Sequence, residues 1–278
     1  MENIKDFLLK LHYLDLEVHE RYRIITKMNL TANISMSLIK SILGSLFLLY
    51  EKLDVNKLKQ DLVREKIKYL TIFDEEYPEK LKNIYQAPLL LFYQGDLSLL
   101  NNKILAVIGT RKYSPYGERV TKSFIPDLVK EGIVIISGLA YGIDTIAHKA
   151  TISYGGKTIA VLGSGINHIY PPEHEELGRQ IGKDHLLISE YHPHEGPTKT
   201  HFPFRNRLVS ALSDGILVIE AKERSGTLIT CDYALEQGKD IFVIPNDIFI
   251  ENGKGTNNLI KEGAYLVTNA SDIIARLI

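Results

Sequence analysis

The stretch Ile104-Leu105-Ala106-Val107-Ile108-Gly109-Thr110-Arg111 decides the fold of this chain. Its first five residues form an unbroken apolar run, which is typical of a strand buried on both faces. A glycine, a hydroxyl and an arginine follow, and Ser114-Pro115 then matches a helix N-cap and first helical residue. Because a helix start leaves backbone amides free, this strand-turn-helix unit predicts an anion site whose natural ligand is phosphate.

Strand-like and helix-like segments alternate along the chain from residue 103 onward. The apolar runs are 104–108, 133–136, 158–162, 186–189, 216–219, 241–244 and 265–267. The helix-like segments are 115–130, 143–153, 173–182, 204–212, 227–237 and 271–277. This alternation is typical of a parallel sheet with helical crossovers. We therefore predict an α/β fold with a doubly wound, mostly parallel sheet.

The first 68 residues follow a different pattern, because their apolar residues recur at helical spacing. Helical stripes occupy 7–14 and 38–49, and a further amphipathic segment covers 57–68. We predict a small all-α domain over 1–68 and an α/β domain over 69–278. Within the second domain, 69–102 would form a connector and an edge strand.

Composition excludes several classes of protein. The 278 residues carry a net charge of −1, so nucleic-acid binding would need a local basic patch rather than a basic surface overall. A single cysteine, Cys231, excludes an internal disulfide and favours a reducing compartment. The chain starts without the pattern of a secretory signal and contains no apolar run of membrane-spanning length. We expect a cytoplasmic protein without membrane insertion.

Four glycine-containing loops follow apolar runs, at 109–111, 137–142, 163–165 and 225–227. Since parallel strands end at one edge of a sheet, these loops predict a site for a polyanion or nucleotide at that edge. None matches the full dinucleotide-binding or nucleoside triphosphatase motif, so we expect neither NAD nor ATP as a cofactor. Asp144 and His148 lie four residues apart but have no third ligand at metal-like spacing, which indicates a structural hydrogen bond rather than a metal site.

The loops and their flanking residues resemble the DNA-processing protein A family (DprA, also called Smf) of bacterial natural transformation. The motifs occur in the family's order over about 180 residues. They are Tyr77-Pro78-Glu79-Lys80-Leu81, Ala106-Val107-Ile108-Gly109-Thr110-Arg111, Ser137-Gly138-Leu139-Ala140, Gly156-Lys157-Thr158-Ile159-Ala160-Val161-Leu162-Gly163, Phe202-Pro203-Phe204-Arg205-Asn206-Arg207, Ser225-Gly226-Thr227 and Gly255-Thr256-Asn257-Asn258-Leu259-Ile260.

The resemblance implies a protein that is not an enzyme. It would bind and protect incoming single-stranded DNA, load the RecA recombinase onto it and form a homodimer, with a competence regulator as a further partner. Its body would be an extended Rossmann-like domain. The helical front resembles a sterile-alpha-motif-like (SAM-like) domain, and we expect a short form of the family without a C-terminal winged-helix domain.

The resemblance implies that the Gly109-Thr110-Arg111 loop and Lys157 hold DNA phosphates, and the glycine loops and charged residues extend this to a set of predicted DNA-binding residues. These are Gly109, Thr110, Arg111, Ser137, Gly138, Lys157, Gly163, Gly165, Arg205, Asn206, Arg207, Ser225, Gly226 and Thr227. Tyr141, Phe202 and Phe204 would supply flat faces for bases. Arg205 and Arg207 have an alternative role, as ion-pair partners of Glu220 or Asp214.

The dimer interface would contain Leu259, Ile260 and Leu266, unless these side chains complete the core of the sheet. An enzyme is the rival function. Glu220-Ala221 followed by Ser225-Gly226-Thr227 is faintly similar to the Rossmann-type phosphoribohydrolases that split nucleoside monophosphates. The leading glycines and the following glutamate of that motif are absent, so its catalytic set is incomplete.

Overall fold

The computed structural model describes residues 1–14, 16–26 and 33–278. The strands are β1 Glu2–Asn3, β2 Asn33–Ile34, β3 Lys68–Thr71, β4 Leu90–Gly95, β5 Ile104–Ile108, β6 Val134–Ser137, β7 Thr158–Leu162, β8 Leu186–Ser189, β9 Gly215–Val218, β10 Asp240–Val243 and β11 Tyr265–Leu266. The helices are α1 Ile4–His12, α2 Val18–Thr26, α3 Met36–Leu43, α4 Phe47–Lys52, α5 Val55–Arg64, α6 Glu79–Lys82, α7 Pro115–Lys130, α8 Ile143–Ser153, α9 Glu175–Asp184, α10 His201–Leu212, α11 Gly226–Glu236, α12 Glu251–Lys261 and α13 Ala270–Leu277.

A nine-stranded sheet with the order β11-β10-β9-β5-β6-β7-β8-β4-β3 forms the centre of the molecule. The strands from β11 to β8 are parallel, while β4 and β3 extend the sheet antiparallel at one edge. This confirms the predicted α/β class. The chain winds from β5 to β8 in one direction and returns to β9 on the other side of β5. The switch point, where such folds bind ligands, therefore lies where β5 and β9 end.

Helices cover both faces of the sheet. Apolar side chains of α7, α8 and α13 pack on one face, where they bury alternate residues of β5 such as Leu105 and Val107. Residues of α10 and α11 pack on the other face, against Ala106 and Ile108. Burial on both faces explains why the central strands are continuous apolar runs.

The helical front, α1 to α5, shares an apolar cluster with the antiparallel edge of the sheet. This cluster joins Phe7 and Leu11 of α1 to Leu90 and Phe92 of β4. The front also contains the short antiparallel pair β1–β2, so it is not purely helical. The division into domains at residue 68 stays a prediction.

Strand β3 and helix α12 are among the elements that differ from the sequence-based expectations. Strand β3 lies almost entirely inside the predicted connector. It was not predicted, because its pairing with β4 depends on residues about twenty positions away. Helix α12 was not predicted, since its glycines disfavour a helix locally. A Cβ at Gly255 would lie 2.6 Å from the carbonyl oxygen of Lys222, so tertiary packing requires glycine there. Across the described part of the chain, every helix is too short or too polar to cross a membrane.

Candidate nucleic-acid interface

A cleft of about 600 Å³ opens at the carboxyl edge of the sheet, beside the switch point. The loops that follow β5, β6 and β9 line it together with α10 and the start of α11. The predicted DNA-binding residues that the structure brings together here are Gly109, Thr110, Arg111, Gly138, Arg205, Asn206, Ser225, Gly226 and Thr227. Segments far apart in sequence thus converge on one site, as the sheet topology predicts.

The loop after β5 presents Arg111 to this cleft. A Cβ at Gly109 would lie 2.6 Å from Cγ1 of Ile143, so only glycine allows the loop to approach α8. The Thr110 amide donates to the carbonyl oxygen of Glu220 (2.9 Å), and this bond ties the loop to the end of β9. That amide is therefore already used. The exposed guanidinium of Arg111, rather than the Thr110 amide, is available to an anion.

The predicted anion site at the start of α7 is occupied by a carboxylate of the protein itself. Ser114 caps α7 as predicted, since its Oγ accepts from the Gly117 amide at 3.2 Å. The carboxylate of Glu220 accepts from the Ser114 amide (2.9 Å) and from the Ser114 hydroxyl. Glu220 is fully buried. Because a negative charge already stabilises this helix start, a phosphate has no place there.

The start of α11 faces the cleft instead. Ser225, Gly226 and Thr227 line it, and no side chain caps this helix. A Cβ at Gly226 would meet only open space. The first turn of α11 and Arg111 therefore line the same cleft, and both favour an anion.

Lys199 and Lys222 add positive charge to the lining and were missed by sequence reasoning. Lys199 is exposed, and Lys222 pairs with Glu251 at 2.8 Å. The available signal was their position, because each lies within three residues of a motif that contributes to the cleft: Phe202 for Lys199, and Ser225 for Lys222. Lysine is too common for this spacing to stand out without the fold.

Arg205 belongs to the wall of the cleft and is 4% exposed. Its guanidinium donates to the carbonyl oxygens of Gly138 (2.7 Å) and Val161. It also faces Asp144, whose pKa is raised by burial while Arg205 opposes that rise. The predicted ion pair of Arg205 with Glu220 or Asp214 is wrong. The guanidinium holds the loop after β6 in place.

Arg207 points away from the cleft. It pairs with Glu190 at 2.8 Å, donates to the carbonyl oxygen of Gln86 and is 1% exposed. Its guanidinium lies 3.9 Å from the ring centroid of Phe204, so this ring is also occupied. Arg205 and Arg207 differ in partner because α10 turns their side chains toward different neighbours.

Lys157 precedes β7 and therefore lies at the amino edge of the parallel sheet, opposite the cleft. Its ammonium donates to the carbonyl oxygen of Asp184 at 3.1 Å. The structure thus contradicts the expected position of Lys157 at the rim. The reason is the direction of the strand, since residues before and after one strand lie at opposite edges.

Three other predicted residues support the cleft from behind. The Ser137 hydroxyl is buried and donates to the carbonyl oxygen of Val107 at 2.7 Å. A Cβ at Gly163 would lie 2.8 Å from the ring of Phe202, and one at Gly165 would collide with the carbonyl of Pro193. These glycines permit close packing of the segments that carry the lining residues.

Aromatic rings lie beside the cations. Phe202 lines the cleft 5.8 Å from the Arg111 guanidinium, and its ring centroid is 5.3 Å from that of Tyr170. Tyr141 lies where the lining narrows near Arg111, with its hydroxyl donating to Glu173 at 2.5 Å. Tyr170 was not among the predicted site residues, although Tyr170-Pro171 is one of the motifs shared with the family.

Asp144 and His148 do not bond to each other. Asp144 accepts from the amides of Gly138 (3.1 Å) and Ala140 (3.3 Å), while Nδ1 of His148 bonds to the Thr158 hydroxyl at 2.7 Å. The described residues contain no cluster of His, Cys, Asp and Glu suited to a metal ion.

The predicted dimer residues differ in exposure. Leu259 is 8% exposed and belongs to the core, and Ile260 packs against that core. Leu266, by contrast, is 51% exposed on β11, the strand at the edge of the sheet. The core alternative therefore holds for Leu259, whereas Leu266 remains available to a partner.

The fold and the cleft define a Rossmann-like protein with a cationic, aromatic-lined site at the switch point of its sheet. Comparison with known proteins gives the family. The family model for DNA recombination-mediator protein A matches residues 68–278, so the chain belongs to that family. This confirms the resemblance inferred from the motifs.

Individual relatives agree with this assignment. The chain is 48% identical over 211 residues to DNA processing protein DprA of Streptococcus pneumoniae, which covers 76% of this chain and 74% of the relative. DprA of Bacillus subtilis is 42% identical over 212 residues, covering 76% and 71%.

Two solved structures are similar to the whole chain or to most of it. The X-ray structure of DNA processing protein A from S. pneumoniae superposes with a TM-score of 0.89 at 40% identity, over 99% of this chain and 98% of that one. A structure of the Helicobacter pylori protein, described as showing its single-stranded DNA binding mode, has a TM-score of 0.69 at 32% identity, over 76% and 95%.

Proposed function

We propose that this protein binds single-stranded DNA in the cleft at the carboxyl edge of the sheet. The observation that carries the proposal is the convergence of Arg111 and Lys199 with the uncapped start of α11 around one open cavity, where Lys222 adds a cation that Glu251 partly offsets. Cations at intervals suit successive phosphates. The structure of the related H. pylori protein concerns its binding of single-stranded DNA, which supports single-stranded DNA as the ligand of this chain.

The aromatic residues favour a single strand over a duplex. Phe202 and Tyr170 lie beside Arg111, so a phosphate on the guanidinium would place its neighbouring bases near their rings. Stacking of this kind needs unpaired bases and contributes about 1–3 kcal/mol for each base. In a duplex the base faces are already stacked on one another.

The biological role follows from the family. We propose that the protein acts in recombination during natural transformation, where it protects incoming single strands and loads RecA onto them, without being an enzyme. The position of Glu220 supports the last point. The rival hydrolase would use a glutamate that follows the glycine loop, which is absent here, and Glu220 before the loop is fully buried and caps the start of α7. The Glu220 carboxylate therefore has a structural role.

Fluorescence anisotropy with labelled single-stranded and duplex DNA across a salt series tests DNA binding. Arg111→Ala should weaken single-strand binding about 10-fold or more, because it removes a charge-assisted bond to phosphate, and should flatten the salt dependence by about 0.7 in log–log slope. Lys157→Ala is the matched control, since it removes the same charge at the opposite edge of the sheet. Equal losses in both variants, or no single-strand binding by the wild type, would overturn the proposed site.

The proposed homodimer would use the edge strand β11, where Leu266 and Tyr265 are exposed beside unpaired backbone groups. Leu266→Arg should give a monomer in light scattering while the folded signal in circular dichroism persists. A folded variant with the mass of a dimer would remove this surface from the proposal. RecA loading is tested by the rate of RecA filament formation on single strands coated beforehand with single-strand-binding protein.

A further inference from the structure

A second groove, of about 590 Å³, lies between α7 and α8 and is lined by three exposed tyrosines. The exposed fractions of Tyr113, Tyr141 and Tyr154 are 44%, 40% and 55%. Two lysines, Lys122 and Lys149, share its walls. We call this feature the tyrosine groove. None of the family motifs used above accounts for it.

The tyrosine groove is continuous with the cleft. Tyr141 lines the groove on one side and, on the other, the narrow part of the cleft that also contains Arg111 and Phe202. The loops that carry these residues are in contact, since a Cβ at Gly142 would lie 2.7 Å from Cα of Arg111. Tyr113 follows Arg111 by two residues. A strand leaving Arg111 toward Tyr141 therefore enters the groove directly.

The chemistry of the groove suits bases better than phosphates. Lys122 pairs with Glu118 at 2.6 Å and the Tyr141 hydroxyl is bonded to Glu173, so acids offset the charge of Lys122, while Lys149 is exposed on the wall of the groove. The other main components of the lining are the three tyrosine rings, each with one hydroxyl, and the side chains of Thr145, Ile146 and Ala150. Rings of this kind stack on any base without regard to sequence.

We propose that the tyrosine groove continues the path of single-stranded DNA beyond the cleft, with unpaired bases stacked on Tyr113 and Tyr154. This inference rests on the proposed function of the cleft. The cleft would hold phosphates and supply the salt-dependent part of binding. The groove would add stacking that is largely independent of salt and is available only to a strand long enough to reach it.

The test is a length series of oligothymidylates from about 4 to about 20 nucleotides, a range that brackets typical site sizes for single-strand binding. The double variant Tyr113→Ser/Tyr154→Ser is compared with the wild type by anisotropy. We expect equal affinity for the shortest strands. For long strands we expect a loss of at least about fivefold for each ring, which corresponds to about 1 kcal/mol per ring, with an unchanged salt slope.

Tyr85→Ser is the matched control, because Tyr85 is 73% exposed and lies on a separate cavity beside α10 and α11. It should bind strands of every length as the wild type does. Two outcomes overturn the proposal: a double variant that keeps the full gain of affinity with length, and one that loses affinity equally at all lengths. Failure of the wild type to bind any single strand would instead refute the cleft itself, so the two failures are distinguishable.

Discussion

Arg205→Met should destabilise the folded protein by about 3–5 kcal/mol, because it leaves two buried carbonyl oxygens without a donor, at about 1–3 kcal/mol each, and removes a charge that stabilises the buried Asp144 carboxylate. That is a large part of the roughly 5–15 kcal/mol by which domains are stable. The prediction separates two roles that the sequence leaves open for Arg205, a ligand of DNA and a support for the cleft. Methionine keeps much of the side-chain volume but removes the charge and every donor.

The magnitude follows from three contacts. The guanidinium donates to the carbonyl oxygens of Gly138 (2.7 Å) and Val161, both away from solvent, and it faces Asp144. Without it the two carbonyls lose a donor, and the Asp144 carboxylate retains the amides of Gly138 and Ala140 and the Ser137 hydroxyl but no nearby positive charge from Arg205. At about 2–4 °C for each kcal/mol, the melting temperature should fall by roughly 6–20 °C.

Urea denaturation of Arg205→Met, Asp144→Asn and the double variant measures the coupling. We expect the double variant to be less destabilised than the sum of the single ones, by about 1–3 kcal/mol, because no buried charge is left unpaired. Arg111→Met is the control, since it removes an exposed arginine and should change stability by less than about 0.5 kcal/mol. A stable Arg205→Met protein that loses DNA as strongly as Arg111→Met would refute the reasoning.

Three further predictions concern buried groups. Burial lowers the pKa of His148 from 6.5 to about 3, so the unfolded chain binds a proton first and stability is lost as pH falls below 6.5. His148→Gln should reduce this loss by about 1.4 kcal/mol per pH unit in urea titrations, and an unchanged slope would contradict it. Burial raises the pKa of Cys231 to about 12, so a thiol reagent should label Cys231 only as fast as the protein unfolds. Rapid labelling of the native protein would contradict this prediction. Arg21→Met should cost about 1–3 kcal/mol, because Arg21 is buried and pairs with Glu195 at 3.3 Å. The variant should still melt in one transition, because the helical front also shares an apolar cluster with β4. Two separate transitions would contradict this.

The sequence predicted most of the α/β architecture. Strands β5, β7 and β8 and helices α7 and α8 begin and end where their patterns place them. These elements are long or uniformly apolar, and local signals such as Ser114-Pro115 mark their boundaries. Strand β3 and helix α12 were missed because both depend on contacts between distant segments, which no local pattern records.

The candidate site was predicted in part. The glycine loops and Arg111 converge as expected, because the end of a parallel strand fixes the edge at which its loop lies. The role of each charged side chain was harder to predict. Lys199 and Lys222 line the cleft with no local signal beyond their nearness to a motif, and Lys157 lies at the opposite edge.

By itself, the sequence determined most strands and helices of the α/β part, the edge of the sheet at which the glycine loops meet and membership in the family, since all three are recorded in short local patterns. Only the tertiary structure decided which charges remain free to bind. Glu220 lies 106 residues from Ser114 and still neutralises the start of α7, while Arg205 is buried in the wall of the cleft. The physical reason is that burial and pairing depend on which segments meet in space, and a charge that is already paired has little left to offer a phosphate.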